Sequence, residues 1–103
     1  MKTIQLRRYY VSSDDEDRLV EAWALRIRDQ RRAHGFGIEF AYLDRDHHVF
    51  VWAVSVEGDR DLFFATERAY LDAKDASTDS GPSLVERAEV AFVDDHTPAS
   101  APS

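Results

Sequence analysis

From His48 to Val56 the chain reads HVFVWAVSV, and both alternating sets of positions are apolar. In an extended strand Val49, Val51 and Ala53 point to one side, and Phe50, Trp52, Val54 and Val56 to the other. A strand that is apolar on both faces lies centrally in a sheet and is covered on both sides. The rest of the chain must therefore supply two covers.

The flanking patterns supply helices for one. Thr3 to Val11 alternates as a strand, with Ile4, Leu6 and Tyr10 opposed to Gln5, Arg7, Tyr9 and Val11. Ser13 with Glu16 three residues on predicts a capping box, and Asp14, Asp15 and Glu16 suit the positive end of a helix dipole. Leu19, Val20, Trp23, Ala24 and Ile27 follow at helical spacing. Arg26, Arg28, Arg31 and Arg32 gather where cations are favoured, and Gly35 is the expected stop. Phe36 to Leu43 predicts a second strand, with Ile38, Phe40 and Tyr42 opposed to Gly37, Glu39 and Ala41. Asp44, Arg45 and Asp46 turn it into the central strand. Gly58-Asp59 opens a second helix over 60–74. Its main stripe is Leu62, Phe63, Ala65, Ala69, Tyr70 and Ala73, with Phe64 and Leu71 on another side. A loop over 76–83 leads to a fourth strand, 84–93.

The order β-α-β-β-α-β is the ferredoxin-like arrangement: an α+β fold with a four-stranded antiparallel sheet and two helices on one face. The other face is left open, and is expected to carry Arg, Tyr and Glu side chains beside apolar ones. Covering a few hundred Å² of its apolar surface is worth on the order of 10 kcal/mol at about 25 cal/mol per Å². A second sheet stacked there recovers this, and a two-fold homodimer is the simplest way to provide one.

The chain's 103 residues bound it to one domain, expected over 1–93, with 94–103 as a disordered C-terminal tail. With 44% apolar and 32% charged residues it has the composition of a soluble globular protein. A net charge of −7 disfavours nucleic acid and anionic membrane as partners. No run is long enough to span a bilayer, and the first ten residues lack the apolar core of a signal peptide. The absence of cysteine excludes disulfides and thiol chemistry. These features predict a cytoplasmic protein.

Several short motifs resemble the NIPSNAP-like family. Leu6-Arg7-Arg8-Tyr9 is similar to its opening strand element, and His34-Gly35-Phe36 to the transition after its first helix. Trp23 sits where that helix often carries a tryptophan. Val51-Trp52-Ala53 and Arg60 resemble its third strand and second helix. Phe64 to Arg68 resembles a segment before which that helix often breaks. The likeness covers about residues 3–93, but the family's Asp-Pro-Glu-Trp-like segment is absent. The resemblance implies the dimeric α+β barrel superfamily, which includes cofactor-free monooxygenases, polyketide cyclases, haem-degrading enzymes and proteins without activity. It also implies that the Arg7 and Tyr9 face lines the barrel interior.

The candidate chemistry lies on that face. Arg7 suits a carboxylate or enolate oxygen, and Tyr9 a carbonyl or a proton to be donated. Glu39 is an acid in an otherwise apolar strand, placed to act as a base. Arg7 paired with Glu39 or Glu89 is the purely structural alternative. Trp52, His34 and Tyr42 are candidate substrate contacts, though a histidine after a helix also serves as a cap. His47 and His48, adjacent at a strand start, point apart, and no spacing in the chain suits a metal site. Nor is there a phosphate loop or nucleotide fingerprint. The expected function is binding or transforming a small, partly aromatic molecule without a cofactor, as a cyclase, isomerase or monooxygenase in secondary metabolism. The rivals are a non-enzymatic dimeric scaffold with a filled interior, and haem binding or degradation.

Overall fold

The structure, a computed structural model, describes residues 1–75 and 84–96. The expected loop over 76–83 and most of the expected tail lie outside those residues. Four strands, β1 (Lys2–Val11), β2 (Gly37–Asp44), β3 (Val49–Glu57) and β4 (Val85–Val93), form one antiparallel sheet in the order β2-β3-β1-β4. Helices α1 (Glu16–Trp23) and α2 (Asp29–Ala33) run together through a π-helical turn, Ala24–Arg28. Helix α3 (Arg60–Asp75) links β3 to β4. The fold is the expected α+β, ferredoxin-like one, and its strands lie within two residues of the predicted limits.

The core lies between the sheet and the helices. Phe50, Trp52, Val54 and Val56 of β3 meet Leu19 and Trp23 of α1 and Phe63 and Tyr70 of α3. Trp23 packs edge-on against both Phe50 and Trp52, with ring centroids 5.1 and 5.6 Å apart. The opposite side of β3 carries Val49, Val51, Ala53 and Ser55, beside Ile4, Leu6, Arg8 and Tyr10 of β1. No helix covers this side among the described residues.

The register corrects the assignment of β1. Arg7 pairs with Trp52, Gln5 with Val54 and Tyr9 with Phe50. Gln5, Arg7 and Tyr9 therefore share the helix-covered side with Trp52, not the open side. The more polar face of β1 points inward because both helices carry charged groups that meet it.

A second correction concerns β2. Its pairing shifts between Ile38 and Phe40, so that Ala41 lies opposite Trp52 and Phe40 opposite Ala53. This bulge reverses the alternation. Ile38, Ala41 and Leu43 pack on the core, whereas Phe40 and Tyr42 stack together on the open side. Glu39 sits in the bulge.

The helix ends are set by short-range bonds. Ser12, rather than Ser13, caps the first turn by accepting from the Asp14 N–H. Glu16 is not part of a capping box; its carboxylate is buried against Arg45 and His48. His47 and His48 both lie in the β2–β3 turn instead of starting the strand. At the end of α2, Phe36 N–H donates to the Arg31 carbonyl and Gly35 N–H to that of Arg32, a Schellman pair. Gly35 has φ +100°, as the motif requires. Asp59 caps α3 by accepting from Leu62 N–H at 2.9 Å. A side chain at Gly58 would have its Cβ 2.3 Å from Leu62 Cδ2.

Helix α3 runs unbroken, without the family's break near Phe64, and turns only part of the expected stripe inward. Phe63 and Tyr70 are buried with Thr66 and Glu67 partly buried between them, while Leu62, Ala65, Ala69 and Ala73 are exposed. The inward stripe of this helix thus contains a carboxylate. Phe64 and Leu71 are exposed, on another side as expected.

Candidate functional site

Two arginines and one glutamate meet under the helices. Arg7 comes from the middle of β1, where its pairing with Trp52 fixes its side. Arg31 comes from α2, and the π turn explains its direction. Leu19, Trp23, Ile27 and Arg31 are each four residues apart. In a regular helix that spacing drifts by about 40° per step. The wider π turn takes up the drift, so Arg31 remains on the sheet side. Glu67 comes from the inner stripe of α3.

Their contacts form one network. Arg7 Nη1 donates to Gln5 Oε1 at 2.7 Å, and Arg7 Nε donates to the Tyr9 hydroxyl at 3.0 Å. Glu67 Oε1 accepts from Arg7 Nη1 at 3.5 Å and from Arg31 Nη2 at 3.3 Å. The Arg31 side chain is 4% exposed, against 17% for Arg7 and 18% for Glu67. Arg31 Nε and Nη1 are buried and meet no carboxylate among the described residues; the Tyr70 hydroxyl is the polar group beside the guanidinium.

Aromatic rings wall the cluster. The Arg31 guanidinium carbon lies 4.5 Å from the Tyr70 ring centroid, 5.0 Å from that of Phe36 and 5.5 Å from that of Trp52. Arg7 lies 5.6 Å from the Trp52 ring. Such faces attract a cation where water is excluded. Two guanidiniums and one carboxylate still leave a net positive charge. Burial, reinforced by the positive charge of Arg7, lowers the Arg31 pKa. Burial raises the Tyr70 pKa, against the pull of Arg31.

The structure divides the residues singled out from sequence. Arg7, Tyr9 and Trp52 stand together. Tyr9 is 8% exposed, and its ring meets Trp52 edge-on at 5.9 Å. Its hydroxyl accepts from Arg7, leaving its own proton to donate. His34 is exposed at the end of α2, its ring 5.6 Å from that of Tyr70, at the rim of the cluster. Glu39 and Tyr42 are not in the cluster. Glu39 accepts from Ser55 Oγ at 2.7 Å and from Lys2 Nζ at 3.1 Å on the open side. Tyr42, on that same side, is 67% exposed. The Glu39 pairing expected for Arg7 is replaced by Glu67, and Glu89 instead accepts from the Tyr10 hydroxyl.

Arg31, Glu67, Gln5, Phe36 and Tyr70 complete the site and escaped the sequence reading of its chemistry. A signal existed for two of them. Arg31 continues the four-residue series from Leu19, and Glu67 falls between Phe63 and Tyr70 at helical spacing.

Glu67 also opens onto a groove of about 580 Å³, which it lines with Phe64, Ala65, Arg68, Leu71 and Asp72. Another hollow, about 420 Å³ and lined by residues including Met1, Asp59, Arg60 and Phe92, shares no residue with the cluster. Among the described residues, no group of three or more His, Asp or Glu side chains is placed to hold a metal ion. No helix among them is long and apolar enough to cross a membrane.

No protein-family model matches the chain, and no curated protein matches it either. Among solved structures, that of Rv0793 from Mycobacterium tuberculosis is similar with a TM-score of 0.62 at 16% identity. The match covers 97% of this chain and 100% of that one. At this identity the likeness extends to the fold.

Proposed function

We propose that this chain forms a NIPSNAP-like homodimeric α+β barrel that binds or transforms a small, partly aromatic molecule without a cofactor. The ligand site is the layer between sheet and helices, around Arg7, Tyr9 and Trp52. The observation that carries this reading is the Arg7 guanidinium, held by Gln5 and Tyr9 against the Trp52 ring. A fixed cation with a neighbouring phenol is the equipment for stabilising an enolate or phenolate oxygen and returning a proton. A cyclase, isomerase or cofactor-independent monooxygenase step needs such a site, and secondary metabolism is the setting that supplies substrates of this kind.

The uncovered side of the sheet, with Leu6, Val51, Phe40 and Tyr42, is the surface through which two copies associate. Glu39, Lys2 and Ser55 then belong to that association, not to the ligand site.

A second reading rests on the filled core. Trp52 and Phe63 are 0% exposed and Tyr70 is 2% exposed. Tight filling suits a scaffold in which the charged cluster only fixes the packing. A thermal-shift screen against phenols, quinones and aromatic acids, with mass by light scattering, separates the two. Binding raises the melting temperature with dose, as linkage requires. The proposed function predicts a dimer, stabilised by at least one class, whose response Arg7→Met abolishes. A dimer stabilised by none favours the scaffold.

A further inference from the structure

We propose that Arg31 and Arg7 together receive the carboxylate of a small aromatic acid, and that Glu67 occupies the place of that carboxylate when no ligand is present. This rests on the reading that the sheet–helix layer binds a small aromatic molecule, and it specifies the class.

The argument begins with charge. Two guanidiniums are buried or nearly so, and one carboxylate serves both. It does so through a single oxygen, at 3.3 and 3.5 Å. Charge-assisted bonds of this type settle near 2.7–2.9 Å and are strongest when bidentate. Glu67 thus engages both arginines without neutralising both charges or filling their donor capacity. Arg31 shows the shortfall, because its buried Nε and Nη1 meet no carboxylate among the described residues and have only the neutral Tyr70 hydroxyl beside them. A guanidinium presents a planar fork of donors suited to a second carboxylate. The rings of Phe36, Trp52 and Tyr70 around it supply contacts for an aromatic body joined to that carboxylate.

Access comes from the side of β4. Val90 stands beside Arg7 in register on the helix-facing side of the sheet, yet it is 48% exposed. Phe64 and Leu71, at 54% and 45%, are exposed in the groove that Glu67 lines. Glu67 therefore borders both the groove and the buried guanidiniums. Arg68 adds a cation at the groove, and Phe64 and Leu71 add apolar walls. An aromatic acid entering there meets Glu67 first, and its own carboxylate takes over the contacts as Glu67 swings outward.

The test compares 2-naphthoate with its neutral isostere 2-naphthamide, by calorimetry on the full chain. The expected result is at least tenfold tighter binding of the naphthoate. Glu67→Gln removes the internal competitor's charge and is expected to tighten naphthoate binding several-fold, and so to widen the preference for naphthoate over naphthamide. Arg31→Met is expected to erase the preference. If that variant fails to fold, Arg31→Lys is expected to reduce it about threefold, because the charge stays and the planar fork is lost. Equal binding of acid and amide overturns the carboxylate assignment while the aromatic site stands. Weaker naphthoate binding by folded Glu67→Gln also overturns it, because Glu67 then organises the site instead of competing for it. Binding of neither compound by the folded chain overturns both.

Discussion

Arg31 Nη2 lies 3.3 Å from Glu67 Oε1, joining a buried guanidinium on α2 to a carboxylate on the inner face of α3. The pair closes the layer between helices and sheet. The consequences of breaking it are unequal for the two partners. Glu67→Ala leaves two guanidiniums facing each other with no anion, and is expected to cost about 3 kcal/mol. Arg31→Met replaces a buried charge by an apolar chain of similar reach, and is expected to be neutral or stabilising by about 1 kcal/mol. Urea denaturation of the two variants, at matched protein concentration, checks the asymmetry.

Gly35 ends the first helical rod with φ +100°. A Cβ there would meet only Thr66 Cγ2, at 3.9 Å, so space is not the constraint. The penalty for Gly35→Ala is conformational, about 1–2 kcal/mol. Thermal unfolding measures it, and the expected lowering of Tm is several degrees for a domain of this size.

Tyr70 provides a pH signature. Burial raises its pKa above the ordinary value of 10.0. The folded chain therefore holds this proton more tightly than the unfolded chain. The stability contributed is fully present below pH 10 and is lost as pH rises through the folded-state pKa. In a spectrophotometric titration of the four tyrosines, Tyr70→Phe is expected to remove a late-titrating component. It should also flatten the alkaline fall in stability.

The open side of the sheet carries the proposed association between copies. Leu6→Glu places a carboxylate at the centre of β1 on that side, away from the helices. Light scattering is expected to show a dimer for the wild-type chain and a folded monomer for this variant. A wild-type monomer refutes the dimer.

The architecture was legible because its signals are local. The two apolar faces of Val49 to Val56, the turn at Asp44 to Asp46 and the stop at Gly35 each depend on neighbouring residues. Half of the site was legible for the same reason, since alternation alone puts Arg7 and Tyr9 on one side of β1. Choosing the side was another matter. The rule that apolar residues face inward favours Ile4 and Leu6, and it fails because Arg31 and Glu67 are available to meet Arg7 from above. Those two come from separate helices. Their rotation toward the sheet depends on a π turn and on tertiary packing, neither of which leaves a plain mark in the sequence. Tyr42 was misplaced by one extra residue: the bulge after Ile38 reverses the parity on which its assignment relied. Glu39 keeps the open side expected of it and is parted from Arg7 because β1 turns its Arg7 face to the helices.

The Arg7–Arg31–Glu67 cluster is proposed as a ligand site and not merely a packed core. Its most direct test is a nitrogen-15 NMR titration that follows the Trp52 indole N–H and the Arg7 Nε–H. The indole is buried without a hydrogen-bond partner among the described residues, and the Arg7 group donates to Tyr9. A small aromatic acid added to the chain is predicted to move both resonances together, saturably and with one dissociation constant. If no phenol, quinone or aromatic acid moves either signal while the rest of the spectrum remains that of the folded protein, the cluster is structural and the account is contradicted.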